Sequence, residues 1–111
     1  MKIRDVITKV DDIKPNSYSE EDKLQWLEDI ESKIHGEIVM QYVDPVEMTD
    51  FSDDESELIA PNPYDNLYIS YIIAKIDFYN NETTRYNNSM IMFNEEYQAF
   101  INYYNRTHTH L

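Results

Sequence analysis

The sequence predicts an all-α protein: a small helical bundle with a long C-terminal αα-hairpin and an acidic connecting loop. Three observations predict it. Gly36 is the single glycine in 111 residues, whereas chains built on tight β-hairpins need glycine where φ is positive. Apolar residues recur at steps of three and four over most of the chain, the period of a helix with one buried face. The four prolines, Pro15, Pro45, Pro61 and Pro63, divide that periodicity into segments, because proline seldom sits inside a helix. At this length one core is expected, so residues 1–111 read as one helical domain.

Ile3, Val6, Ile7, Val10 and Ile13 predict a first helix over residues 3–13, stopping before Pro15. Ser19 then reads as an N-cap, with Glu20, Glu21 and Asp22 in the first turn, where acids favour the positive end of the helix dipole. Leu24, Leu27, Ile30, Ile34 and Ile38 carry that helix over about residues 19–41. Gly36 is expected to mark a kink or a close approach. Trp26 lies beside the apolar face, either as core or as an exposed recognition residue.

Residues 43–57 carry Asp44, Glu47, Asp50, Asp53, Asp54, Glu55 and Glu57 with no basic residue. Like charges so dense resist packing, which predicts a solvated loop or a contact arm that orders against a basic partner. Asn62 as N-cap and Pro63 at the first helical position predict a helix over residues 63–80. Its apolar surface, with Tyr64, Leu67, Tyr68, Tyr71, Ile72, Phe78 and Tyr79 joined by Ile69, Ile73 and Ile76, is wide enough to be buried on two sides. Asn80 and Asn81 suit its end, and a short connection to a last helix over residues 83–106 makes the two antiparallel neighbours. In that helix Tyr86, Met90, Phe93, Tyr97, Phe100 and Tyr104 form a strict seven-residue repeat of large side chains. The repeat exceeds what a lone small bundle would bury, so Tyr68, Tyr71, Tyr79, Tyr86, Phe93, Tyr97 and Tyr104 are the candidate subunit or partner interface. The alternative is that these rings fill the core.

Composition excludes several kinds of chemistry. The chain has no cysteine, so no disulfide, thiolate metal site or cysteine nucleophile can form, which suits a reducing cytoplasm. One glycine cannot build a glycine-rich phosphate loop. The acidic run lacks the spacing of a calcium-binding loop. His35, His108 and His110 are not spaced as a metal site, and the last two are expected in a loose tail. No nucleophile motif appears. The expectation is therefore a non-enzyme with no cofactor and no metal. A net charge of −13 opposes binding of DNA phosphates, so sequence-specific nucleic-acid binding is not expected. The same charge fits solubility alone, docking to a basic surface, imitation of DNA, or a channel through which DNA slides. No apolar run reaches the roughly 18 residues needed to span a membrane, and the N-terminus lacks a secretory pattern.

Two groups of residues carry a resemblance. Ile3-Arg4-Asp5-Val6-Ile7, Lys14-Pro15-Asn16-Ser17-Tyr18, Lys23 and Trp26-Leu27 lie in the N-terminal half. Pro63-Tyr64-Asp65-Asn66-Leu67-Tyr68, Ala74-Lys75-Ile76-Asp77, Arg85-Tyr86-Asn87-Asn88-Ser89, Phe93-Asn94 and Asn105-Arg106-Thr107-His108 lie in the C-terminal half. By this pattern the chain resembles small proteins encoded beside capsid genes in tailed phages and prophages of Gram-positive bacteria, which are likened to head-to-tail connector, or adaptor, proteins. The resemblance implies a helical subunit that assembles as a homo-oligomeric ring beneath the portal, contacts portal and tail or neck proteins, and extends the DNA channel. It implies residence in the host cytoplasm during assembly and then in the virion, and carries over no catalytic residue. An acidic DNA mimic that inhibits a host DNA-binding protein is the alternative.

Overall fold

Four α-helices form in the computed structural model, which describes residues 1–111: α1 (Ile3–Ile13), α2 (Glu20–Glu37), α3 (Asn66–Tyr79) and α4 (Thr83–Thr107). Beyond two isolated bridges, Lys2 with Glu57 and Tyr42 with His110, there is no β-structure. The most apolar helix, α3, is central. It buries Leu67, Tyr68, Ile69, Ser70, Ile72, Ala74, Ile76 and Asp77 around its circumference, with α1 and α2 packed on it from one side and α4 from the other. The sequence expectation of two buried sides for this helix is what that position requires.

Residues 80–82 turn the chain between α3 and α4, with Asn81 in the left-handed conformation at φ 59°, which asparagine tolerates. The two helices are antiparallel: Tyr71 packs on Phe93, and Phe78 on Tyr86 nearer the turn. At the far end Tyr64 stacks on Tyr103 and meets Phe100. Polar ties run alongside, from Ser70 and Asn66 to Glu96 at 2.7 Å each.

Two boundaries and one glycine differ from expectation. The third helix starts at Asn66, not at Pro63, because residues 62–65 first make a turn in which the Tyr64 amide donates to the Pro61 carbonyl at 2.7 Å. Asp65 becomes the residue before the helix, and its side chain is turned toward the Met1 amine at 3.6 Å and makes no cap bond. The second helix ends its α-helical course at Glu37 and tightens into a 3₁₀ turn over Val39–Gln41, a common way to satisfy terminal carbonyls. Gly36 marks neither a kink nor a close approach, since nothing lies within 4 Å of where a Cβ would stand.

The acidic loop also departs from the expectation that it resists packing. Its missing cations come from the N-terminal segment: Lys2 and Arg4 both bind Glu55, at 3.0 and 2.7 Å. The carbonyls of Ser56 and Asp54 accept from the Ile3 and Arg4 amides at 3.1 and 3.0 Å, satisfying donors that the first turn of α1 leaves open. A second anchor lies inside. Glu31, fully buried on α2, accepts from Thr49 Oγ1 at 2.5 Å, the Ile59 amide at 2.9 Å and the Tyr68 hydroxyl at 2.6 Å. The Tyr68 oxygen in turn accepts from the Ala60 amide at 2.8 Å. One carboxylate thus joins α2, the loop and α3.

The C-terminal tail is docked and not loose. Val43 donates its amide to the Thr109 carbonyl at 2.8 Å, and Leu111 donates to Gln41 at 3.0 Å. The His108 ring stacks on Tyr104 with centroids 3.7 Å apart, while His110 packs edge-on against Tyr42 at 4.8 Å. Histidine used as a flat ring against tyrosine explains why the tail stays in place despite few apolar residues.

Candidate interaction surface

Of the seven aromatic residues expected at an interface, three are enclosed by the subunit itself. Tyr68 is fully buried, and Phe93 and Tyr104 are 4% and 5% exposed. They are core residues, because α3, and beside Tyr104 the Tyr42 ring that follows the 3₁₀ turn, cover the face of α4 that carries the seven-residue repeat. Tyr71 and Tyr97 are half-buried beside them. Tyr71 packs on Phe93, and Tyr97 stacks on Phe93 while its hydroxyl lies 3.4 Å from Glu37. Burial and the Glu37 charge push the Tyr97 hydroxyl up to about 12.

The remaining two, Tyr79 and Tyr86, belong to an aromatic surface at the end of the bundle where α1 and α3 stop and α2 and α4 begin. Trp26 stacks on Tyr79 with centroids 5.6 Å apart, and Tyr18 sits edge-on to Trp26 at 5.5 Å. Phe78 meets Tyr79 at 5.2 Å and Tyr86 at 5.5 Å. Phe78 and Tyr79 are each more than half exposed, so this chain of rings runs from the core outward. Trp26 belongs to the core, and its partner Tyr79 faces solvent. An open groove of about 390 Å³ lies between Phe78, Tyr79 and Tyr86, floored by Asp77 and Glu82.

Buried polar groups hold this end rigid, and sequence reasoning did not single them out. Asp77, 1% exposed, is bound by the Lys14 ammonium and by Ser89 Oγ at 2.8 Å. Lys14 also reaches Glu82 at 3.1 Å. Burial alone would lower the Lys14 pKa, but the hydrogen bonds it donates to Asp77 and Glu82, with the charges of those carboxylates, outweigh it and raise the value. Lys23, equally buried on α2, binds Asp11 at 2.6 Å and Asn16 at 3.3 Å. Tyr18 donates to Asn80 at 2.7 Å. Lys14, Asn16, Tyr18, Lys23, Asp77 and Ser89, through which the resemblance runs, are therefore fasteners joining the start of α2 to the α3–α4 turn. Their signal in the sequence is a charged residue where the helical period calls for an apolar one: Lys23 four before Leu27, and Asp77 next to Ile76 on a helix otherwise nearly free of charge.

The seven loop acids divide into three uses. Glu55 and Glu57 are ion-paired with the N-terminal segment. Asp50 and Asp53 accept from the Ser52 and Glu55 amides at 2.9 and 3.0 Å, closing local turns, and the Ser52 bonds hold the Asp50 carboxyl below its usual range. Asp44, Glu47 and Asp54 are exposed with no cation beside them. No three His, Asp or Glu side chains converge as a metal-binding group, and no helix is long and apolar enough to cross a membrane.

Charge is distributed unevenly over this frame. Seventeen of the 22 acidic residues and six of the nine basic ones precede Leu58. The hairpin of α3 and α4 is therefore nearly neutral, while α1, α2 and the loop carry most of the −13. Chemically the arrangement offers an aromatic, weakly charged surface and a strongly acidic one, both suited to contact with other macromolecules. No known family profile, curated protein or solved structure matches the chain.

Proposed function

We propose that the chain is a non-enzymatic structural subunit of a tailed phage that joins head to tail, assembling on the portal as a ring that extends the DNA channel. The observation that carries the reading is the division of the surface into a nearly neutral aromatic hairpin and an acidic remainder. A channel subunit needs both: apolar and aromatic area for neighbouring protein, and a negative wall past which DNA slides without adhering. Phe78, Tyr79 and Tyr86 at the α3–α4 turn are the contact residues of this reading, and Asp44, Glu47 and Asp54 face the lumen or a partner. The residues of the resemblance add to it, since they fix the geometry of the aromatic end.

Exposed carboxylates along α2, Glu20, Glu21, Asp22, Glu28 and Asp29, favour a second reading, an acidic DNA mimic that occupies a host DNA-binding protein. One experiment separates the two. Purified chain is mixed with purified portal rings and, separately, with a DNA-binding protein and labelled DNA. Co-sedimentation with portal, abolished by Phe78→Ser with Tyr79→Ser, supports the connector. Displacement of DNA with no portal binding selects the mimic.

A further inference from the structure

The outward face of α4 carries a second seven-residue repeat, on the side opposite the buried one. Arg85, Asn88, Met92, Glu95, Ala99 and Asn102 follow at steps of three and four, every one of them exposed. Two observations set this face apart. Met92 and its neighbour Ile91 are 54% and 57% exposed, so the middle of the stripe is apolar and uncovered. Glu95 is the single fully exposed carboxylate on the helix, since Glu96 is turned to Ser70 and Asn66.

We infer that α4 is a self-association surface, on which a second copy of this chain packs with its own α4 antiparallel about a two-fold axis near residue 90. Charge selects both the occupant and the register. Two bodies of charge −13 repel, and they approach at least cost through the faces that keep their acidic sides farthest apart. The α4 face is that face, because α3 separates it from α1 and α2. In an isologous contact each pair occurs twice, residue i on j and j on i. Arg85 and Glu95 stand ten residues apart on the same stripe, so antiparallel packing centred between them places each arginine, held in its own chain only by a solvent-exposed pair with Glu82 at 3.1 Å, beside the other copy's carboxylate. Met92 then falls opposite Asn88, with Ile91 at its flank, closing the apolar middle between two ion pairs.

With the axis near residue 90 and α4 beginning at Thr83, helix faces helix over residues 83–97, roughly 15 residues or about 22 Å, which is less than a standard interface buries. The pairing is accordingly reversible and of modest affinity. It belongs to the free chain: a closed ring needs a heterologous contact, so this inference stands or falls independently of the connector reading.

Sedimentation-velocity series on the purified chain, up to about 1 mM, test it with five variants. Wild type is expected to shift from monomer to dimer as concentration rises. Arg85→Glu and Glu95→Arg singly each weaken the dimer by about tenfold or more, and Met92→Asp abolishes it. The combined charge swap restores association to within about threefold of wild type. Lys9→Glu, an exposed change of equal charge on α1, leaves it unaltered. All variants should stay helical and melt cooperatively, because none of these side chains is buried; Arg85→Glu and the double swap lose only the exposed pair with Glu82, which contributes little to stability. Monomer at every concentration, a dimer indifferent to the α4 reversals, a swap that fails to restore pairing, or equal loss in Lys9→Glu would each overturn the inference.

Discussion

Glu31 is the residue on which most of the loop architecture depends. It is a buried carboxylate with three donors and no cation. Burial is the largest influence on it and raises its pKa, opposed by the bonds from Thr49, Tyr68 and Ile59. Glu31→Gln replaces one of the two accepting oxygens with a donating NH₂, so that at least one of the three bonds is lost or must reverse, and is expected to cost about 1–3 kcal/mol in urea unfolding. The pH dependence has a definite sign. With its pKa higher folded than unfolded, Glu31 takes up its proton first in the folded state, so its contribution to stability grows as pH falls from above the folded value toward the unfolded one. Wild type should therefore gain on Glu31→Gln as pH is lowered from neutral toward the ordinary carboxylate range; a stability gap moving the other way would contradict the burial argument. Lys14 has the opposite character. Removing its ammonium strands the buried Asp77 carboxylate, and Lys14→Met should lower stability by about 2–4 kcal/mol, with Asp77→Asn in the same chain recovering part of the loss. Neither role was legible from composition. Glu31 does leave a trace, since it stands four after Leu27 and three before Ile34 on the apolar stripe, a place where a charge signals a buried partner.

At the scale of elements, helical period and proline placement were sufficient to locate all four helices, because each buries a continuous stripe. The exceptions have local causes. The turn at residues 62–65 delays α3, as its amide-to-carbonyl bonds form before the helix can begin. The acidic loop and the tail are fixed by partners more than forty residues away in sequence, Lys2 and Arg4 for one and Tyr42 for the other, and no local pattern encodes those pairings. The inward repeat of α4 is now assigned to the core at Phe93, where alanine should cost about 3–5 kcal/mol by thermal or chemical unfolding. Tyr97→Phe, at a half-exposed position with a long hydroxyl contact, should change stability by less than about 1 kcal/mol. Gly36→Ala is expected to stabilise by about 0.5–1 kcal/mol, since the helix passes through that position with open space around it. Destabilisation there would mean that Gly36 bends the chain in solution.

For the whole molecule the governing feature is that charge and aromatic surface are kept apart. α3 divides them, being covered on one side by the acidic pair α1 and α2 and on the other by α4. The sequence showed the excess of acid and the excess of tyrosine but not their separation, because that depends on which rings the subunit hides. Tyr68, Phe93, Phe100 and Tyr104 fall inside, and Phe78 and Tyr79 remain out. The exposed rings are gathered at the α3–α4 turn, which suits docking to another protein, while exposed aliphatic side chains lie on the outer face of α4 at Ile91 and Met92 and singly elsewhere, at Ile13, Met40, Val43, Val46 and Leu111. Native mass spectrometry of purified portal rings incubated with the chain tests this most directly. The account predicts a portal species heavier by a fixed multiple of 13.3 kDa, lost in the Phe78→Ser, Tyr79→Ser variant while its fold is retained. Portal rings of unchanged mass at every ratio of the two proteins would contradict it.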